Sequence, residues 1–186
     1  MIWESWPWKK ELLVLANKLE ELLDAYSSEQ TEEEYCLTVF NLEKTIFYSA
    51  FIIRKLIENR KLTDKCSKQK IIVQVFLATD TQPSIRNTLG IEMGVDFNLE
   101  HNNSIEFPLG KLMNEIIHSF LLEWEVDSDG ILKTIFISSY KNQKNRSIGL
   151  GFQDYLKAIR NIANDEVTSS QYYLDPETGK FIAKLQ

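Results

Sequence analysis

The stretch PLGKLMNEIIHSFLLEWEV, Pro108 to Val126, decides how the chain is read, because a helical apolar pattern hands over to a strand-like one inside it. Leu109, Leu112, Met113, Ile116 and Ile117 recur at helical spacing. Phe120, Leu122, Trp124 and Val126, with Glu123 and Glu125 between them, alternate like a strand. The helical period can be continued as far as Trp124, so periodicity alone leaves the boundary open. The turn that follows places it near Ser119. Asp127-Ser-Asp-Gly130 is a strong hairpin signal, and Ile131 to Ile137 reads as the returning strand.

Toward the C-terminus, Lys141 to Arg146 is a basic turn and Ser147 to Phe152 a third strand. Tyr155, Leu156, Ile159, Ile162 and Ala163 make a last helix that ends at Asn164-Asp165. Tyr172 to Leu174 and Phe181 to Leu185 flank Asp175-Pro-Glu-Thr-Gly179 as a second hairpin. On the other side, Val95 to Glu100 and Ile105 to Phe107 flank His101-Asn-Asn-Ser104, which has the chemistry of a turn and leaves His101 solvated. Thr79 to Gly90 reads as a loop containing Pro83. Ile71 to Ala78, β-branched and almost continuously apolar, reads as a buried strand.

The N-terminal third is helical. Trp8, Leu12, Leu15, Leu19, Leu22 and Tyr26 fall on one stripe, started by Pro7 and broken at Ser27-Ser28. Trp3, Trp6 and Trp8 are expected to pack this helix onto the body. A second helix opens with Thr31-Glu-Glu-Glu34, a capping box, and carries Tyr35, Val39, Leu42, Ile46, Ile53 and Ile57 on its apolar face. Continued to Arg60 it spans roughly 29 residues, about 43 Å at 1.5 Å per residue. Its acidic start and basic end both complement the helix dipole. The expectation is an α+β fold: a long N-terminal helical hairpin packed on an antiparallel sheet, with two shorter helices. All 186 residues read as one domain, with a helical half over 1–62 and a mixed half over 70–186.

Composition sets the class. At 44% hydrophobic and 26% charged residues the chain is globular rather than disordered. A net charge of −6 argues against whole-surface nucleic-acid binding. No unbroken run of about 18 apolar residues is present, so no membrane span is expected. The start, Met1 to Trp8, lacks the basic-then-apolar order of a secretory signal. Cys36 and Cys66 stand 30 residues apart and read as reduced thiols of a cytoplasmic protein. Two cysteines and two histidines so dispersed do not form the ligand set of a structural zinc.

The charge is unevenly placed. Residues 1–35 hold nine acids against three bases. Residues 54–70 hold seven bases, Arg54, Lys55, Arg60, Lys61, Lys65, Lys68 and Lys70, against Glu58 and Asp64. Arg54, Lys55, Arg60, Lys61 and Lys65 are therefore candidate ligands for phosphate or an acidic partner, though a solvated helix end explains the run more simply.

Imidazole is the side chain best suited to proton transfer near neutral pH, which makes His118 the first catalytic candidate. On a helix Asn114 and Glu115 lie one turn back and are placed to orient the ring. The segment Asn114-Glu-Ile-Ile-His118 resembles part of the motif of the HEPN ribonucleases, in which an arginine precedes the polar residue. Met113 stands where that arginine belongs. The resemblance implies metal-independent RNA cleavage with His118 as general acid–base, Asn114 and Glu115 beside it, and a cation from elsewhere, Arg54 or Arg86, on the phosphate. Asn114-Glu-Ile-Ile-His-Ser119, with the Asp-Pro-Glu-Thr-Gly hairpin, also resembles uncharacterised bacterial proteins that carry an Asn-x-Ile-Ile-His-Ser segment, which implies a bacterial origin and no activity.

Other features are weaker. Gly149-Leu-Gly-Phe152 resembles the carboxylate-binding loop of PDZ domains, but relief of a strand-to-helix corner explains the glycines more simply. Glu123 and Glu125 share one strand face and read as outward charges rather than metal ligands. No phosphate loop, dinucleotide fingerprint, HExxH or nucleophile elbow occurs, so neither cofactor nor metal is expected. Two functions remain. One is a non-catalytic binding or regulatory protein acting on a protein partner or a second copy of itself, with His118 buried and bonded to the backbone. The other is the ribonuclease, with His118 open and an arginine nearby, and with RNA as its partner.

Overall fold

The computed structural model describes residues 2–24, 31–79, 97–129, 131–142, 145–174, 176–177, 179 and 181–186, with the side chains at 23–24, 99–101 and 181–183 left aside. Two helices lead: α1 (Trp6–Asp24) and α2 (Glu32–Glu58). A short α3 (Asp64–Ser67) precedes β1 (Lys70–Ala78) and β2 (Phe97–Pro108). Then come α4 (Leu109–Ile117), β3 (Ser119–Val126), β4 (Leu132–Ser139), β5 (Arg146–Gly151) and α5 (Phe152–Ala163). A hairpin of β6 (Ser170–Leu174) and β7 (Phe181–Leu185) ends the chain. The fold is α+β.

Strands β1 to β5 form one antiparallel sheet in the order β2-β1-β5-β4-β3, and β6 and β7 pair separately. β2 and β3 are the two edges, so α4 is the connection that carries the chain from one edge to the other. It can do so because one stripe of it, Leu109, Leu112, Met113 and Ile116, is buried. Helices α4 and α5 lie against the sheet, and the α1–α2 hairpin stacks on them, so the hairpin reaches the sheet through a middle layer. Ile135 and Ile137 of β4 and Ile148 and Leu150 of β5 meet Leu112, Ile116, Leu156 and Ile159 from the middle helices in the shared core.

The helix-to-strand change falls where the turn argument places it, with His118 as the cap residue between the end of α4 and the start of β3. The β3–β4 turn is closed by Asp127, whose Oδ1 accepts from the amides of Asp129 and Ile131 at 3.0 and 2.9 Å. The capping box at Thr31 forms in both directions: Glu34 N donates to Thr31 Oγ1 at 3.3 Å and Thr31 N to Glu34 Oε2 at 2.9 Å.

Three expectations are corrected. His101-Asn-Asn-Ser104 is not a turn. It lies inside β2, where Asn102, Asn103 and Ser104 pair with Phe76, Val75 and Gln74 of β1. A continuous ladder along β1 outweighs the local turn preference of these residues, and an edge strand tolerates their polarity. β1 is not buried on both faces: Ile71 and Val73 are buried while Ile72 and Gln74 between them are exposed. Trp3 and Trp6 do not pack inward, being 83% and 65% exposed, and of the three tryptophans only Trp8 packs against the core. Of the glycines of the Gly149-Leu-Gly segment, Gly151 stands at the strand-to-helix corner, where a Cβ would come 2.8 Å from the Asp154 carboxylate, and Gly149 is explained by the sheet. Gly149 sits between β1 and β4, and a Cβ there would come 2.7 Å from the Phe76 ring, which lies across it and tilts against Phe136 at 5.5 Å.

Candidate functional site

α2 is 27 residues long, and its buried side chains begin only at Leu42. Residues 31–41 present none, and Asn41 meets α1 through Lys18 Nζ at 3.4 Å. From Leu42 the inward stripe, Leu42, Ile46, Ile53 and Leu56, enters the core. Two buried hydroxyls interrupt this side of the helix: Thr45 donates to the Asn41 carbonyl at 2.6 Å, and Ser49 Oγ lies 2.7 Å from Tyr155 Oη, both of the latter atoms also lying within 3.1 Å of the Ile46 carbonyl. Two hydroxyl protons serve three oxygens: one reaches the carbonyl and the other joins the hydroxyls. Burial pushes the Tyr155 phenol well above its ordinary value, with the Ser49 bond opposing.

The opposite face of α2 is apolar too. Leu37, Phe40, Tyr48 and Phe51, at helical spacing, are 54%, 56%, 39% and 41% exposed. Lys44 and Lys55 lie along this stripe, their ammonium groups 5.9 and 5.7 Å from the Phe40 and Phe51 ring centres. Their stems cover apolar surface while the charges stay in water. At its C-terminal end the stripe runs into an open groove of about 550 Å³ lined by Ile2, Trp8, Phe51, Lys55, Glu58 and Asn59. The segment before α1 is held there by Ile2 N on Asn59 Oδ1 at 3.1 Å and by Lys61 Nζ on the Trp3 carbonyl at 3.0 Å. Because both faces are apolar, α2 is long and apolar enough by composition to span a bilayer, although 44% of the qualifying window is buried in the fold.

His118 lies beside α2. Its backbone ties α4 to the sheet: the N–H donates to the Asn114 carbonyl at 3.1 Å and the carbonyl accepts from Tyr140 N at 3.0 Å. Its ring, however, is exposed, not buried as the binding reading requires. Arg54 Nη1 stands 3.3 Å from Nε2, a contact across 64 residues. A guanidinium only donates, so Nε2 accepts and the neutral ring carries its proton on Nδ1. Arg54 is also engaged by Glu58 (Nε to Oε1, 2.7 Å), and Lys55 takes the other oxygen at 2.8 Å. These two bonds, Lys55 first and Arg54 second, hold the Glu58 carboxyl below its ordinary range.

The remaining candidates do not converge on His118. Glu115 turns away from the ring, accepting from Asn142 Nδ2 at 2.7 Å and Arg146 Nη2 at 3.4 Å, so it fixes the β4–β5 turn. Its second oxygen is buried without a partner. Asn114 is exposed. Met113 is fully buried, so an arginine there would be desolvated in the core. Arg86 lies outside the described residues. In the basic run, Lys68 pairs with Asp64 and Lys70 with Glu106, which leaves Arg60, Lys61 and Lys65 without an ion pair among the described residues, Lys61 donating instead to the Trp3 carbonyl. Glu123 and Glu125 are exposed, and no group of three or more side chains able to hold a metal occurs among the described residues.

Cys66 is buried, and its thiol is pushed up to about 11, first by burial and then by the Asp165 carboxylate. That carboxylate also accepts from Thr63 N at 2.8 Å and Thr63 Oγ1 at 2.6 Å, and the Asp165 carbonyl accepts from Lys9. The cluster ties α3 to the start of α1 and the end of α5, and it protects a thiol rather than activating it. Sequence reasoning missed the outer stripe of α2, although its signal was present: Leu37, Phe40, Tyr48 and Phe51 are spaced three, eight and three residues apart, which keeps them on one helical face with Lys44 between. Comparison of the chain with protein-family models, with characterised proteins and with solved structures returns no match.

Proposed function

We propose that this chain is a non-catalytic binding protein that works through a protein partner, which it takes on the outer face of α2 and the adjoining groove. The observation behind this reading is the second apolar stripe, Leu37, Phe40, Tyr48 and Phe51, on the side of α2 opposite its buried side chains. A helix at the surface of a globular protein places polar residues there, and one that is apolar all round is ordinarily covered all round. With about half of each side chain exposed and roughly 150–250 Å² per aromatic, the four expose on the order of 400 Å². A patch of that size on a folded chain is commonly functional. The test is site-specific photo-crosslinking in the native host with p-benzoylphenylalanine in place of Phe40. A discrete adduct with a protein is expected, and its absence at Phe40 together with its presence at a control site on Gln153 would refute the surface.

A second reading rests on a different observation, the Arg54–His118 contact. An exposed imidazole beside a guanidinium supports metal-independent RNA cleavage, with His118 as acid–base and Arg54 on the phosphate. The exposed ring beside an arginine is what this reading expects, but it ranks second because Glu58 already occupies Arg54 and Glu115, the nearest acid in sequence, turns to Asn142 and Arg146 instead. Labelled RNA incubated in EDTA with wild type, His118→Ala and Arg54→Ala decides it. Cleavage lost in both variants with unchanged melts establishes the ribonuclease, and no cleavage by the wild type removes it.

A further inference from the structure

We infer that the partner on the outer face of α2 is a second copy of this chain, the two helices running antiparallel about a two-fold axis between Lys44 and Tyr48. The inference rests on the reading of that face as a docking surface. Three features of the face are self-complementary in this orientation alone.

The first is charge. The N-terminal end of α2 begins with Glu32, Glu33 and Glu34, while its other end carries Arg54 and Lys55 against Glu58, with Arg60 and Lys61 just beyond it. Antiparallel pairing sets the acidic end of each copy on the basic end of the other. Parallel pairing would set like on like, which is strongly unfavourable. The second is shape. One end of the face carries the exposed side chains of Leu37 and Phe40, and the other is the groove lined by Ile2, Trp8 and Phe51. A two-fold axis near the midpoint of the stripe brings Leu37 opposite Lys55 and Phe40 opposite Phe51, so each pair of exposed side chains meets the partner's groove. The third is area. Two such faces cover on the order of 800 Å² of apolar surface, which with the charged ends and Trp3 reaches about 1,200 Å², the low end of stable interfaces. An interface of this kind is isologous: the same patch serves both copies and closes at the dimer.

The test uses the full chain and two charge-reversed variants that leave the capping box and Arg54 intact. Glu32→Lys with Glu33→Lys makes both ends of the face basic, and Lys55→Glu with Lys61→Glu makes both acidic. By sedimentation velocity over the micromolar range the wild type is expected to be a dimer. Each variant alone is expected to associate more than tenfold more weakly, and an equimolar mixture of the two to recover the wild-type dimer, because opposite ends then meet again. Circular dichroism of each variant alone checks that it is folded. A monomeric wild type, or a dimer indifferent to both reversals, or a mixture that stays monomeric, overturns the inference. The Phe40 photo-crosslink separates this failure from failure of the binding reading. An adduct at twice the mass of the chain supports self-pairing. An adduct with another protein overturns self-pairing and keeps the docking surface, and an adduct with lipid or none overturns both.

Discussion

Along the inner face of α2, Leu42, Ile46, Ile53 and Leu56 are covered to 2% exposure or less, whereas Leu37, Phe40, Tyr48 and Phe51 on the outer face stand at 39% to 56%. The two faces are built from the same kinds of residue at the same helical spacing. What separates them is that α1, α4 and α5 close over one of them. Folding of the single chain therefore covers one apolar face of this helix and leaves the other in contact with water, the face on which pairing is proposed. The comparison also divides the consequences of substitution. Changes on the inner face should be read in stability, and changes on the outer face in association.

The largest expected effect is on the inner face. Leu56 is fully buried where α2 crosses the middle layer, and Leu56→Ala removes its packing and leaves a cavity. A loss of about 2–5 kcal/mol in unfolding free energy by urea titration is expected. A loss under about 1 kcal/mol would mean that the inner face is not the anchor of the helix, and the contrast between the faces would collapse.

Next comes the polar break in that face. Tyr155→Phe removes one of the two protons shared among Ser49, Tyr155 and the Ile46 carbonyl, leaving a buried oxygen short of a partner. A cost of about 1–3 kcal/mol is expected. Ser49→Ala combined with Tyr155→Phe should cost less than the two single changes added together, because the second removes a group the first has already orphaned. Additive losses would show that the two hydroxyls do not form one unit.

A pH prediction follows from the cluster below α2. Below pH 9 the Cys66 thiol is protonated in folded and unfolded chains alike. Between pH 9 and about 11 it ionises in the unfolded chain and stays protonated in the folded one, so stability falls as pH rises through that window. Tyr155, whose folded value is also raised, extends the fall above pH 10. Cys66→Ser should flatten the first part of the decline in melts recorded between pH 8 and 11, and an unchanged slope there would remove the thiol from the account.

Much of the middle and C-terminal chain was legible in the sequence because its signals are local. Asp127-Ser-Asp-Gly130 fixes a turn whatever surrounds it, and that turn decides the α4–β3 boundary. Thr31 and Glu34 likewise cap α2 with groups three residues apart. The misreading at His101 to Ser104 has the opposite cause, since the partner that makes those residues a strand is β1, some thirty residues away. Trp3 and Trp6 misled because burial of aromatics is a tendency of composition, whereas Trp3 lies in an exposed segment tethered just past the end of α2 and Trp6 is the exposed first residue of α1. Of the site, the candidates His118 and Arg54 were visible singly. Their meeting across 64 residues belongs to the packing of α4 on α2 and has no local signature. The outer stripe was legible and passed over, because one apolar face already satisfied the expectation of a helix that packs.

The smallest expected effect is the sharpest test of the contrast. Phe40→Ser with Phe51→Ser removes two rings from the outer face while leaving the inner one untouched. Serine and phenylalanine have similar helix propensity, so little changes along the backbone. At low protein concentration, where the chain is a monomer, the variant should lie within about 0.5 kcal/mol of wild type, as surface substitutions do. At high concentration the two should part. A chain that pairs through this face gains stability by mass action, so the wild-type melting temperature should rise with concentration while that of the variant stays flat. Equal melts at every concentration would leave the outer aromatics without a role in association. A variant destabilised even when dilute would mean that Phe40 and Phe51 belong to the monomer's own packing, and the two faces of α2 would differ in degree rather than in kind.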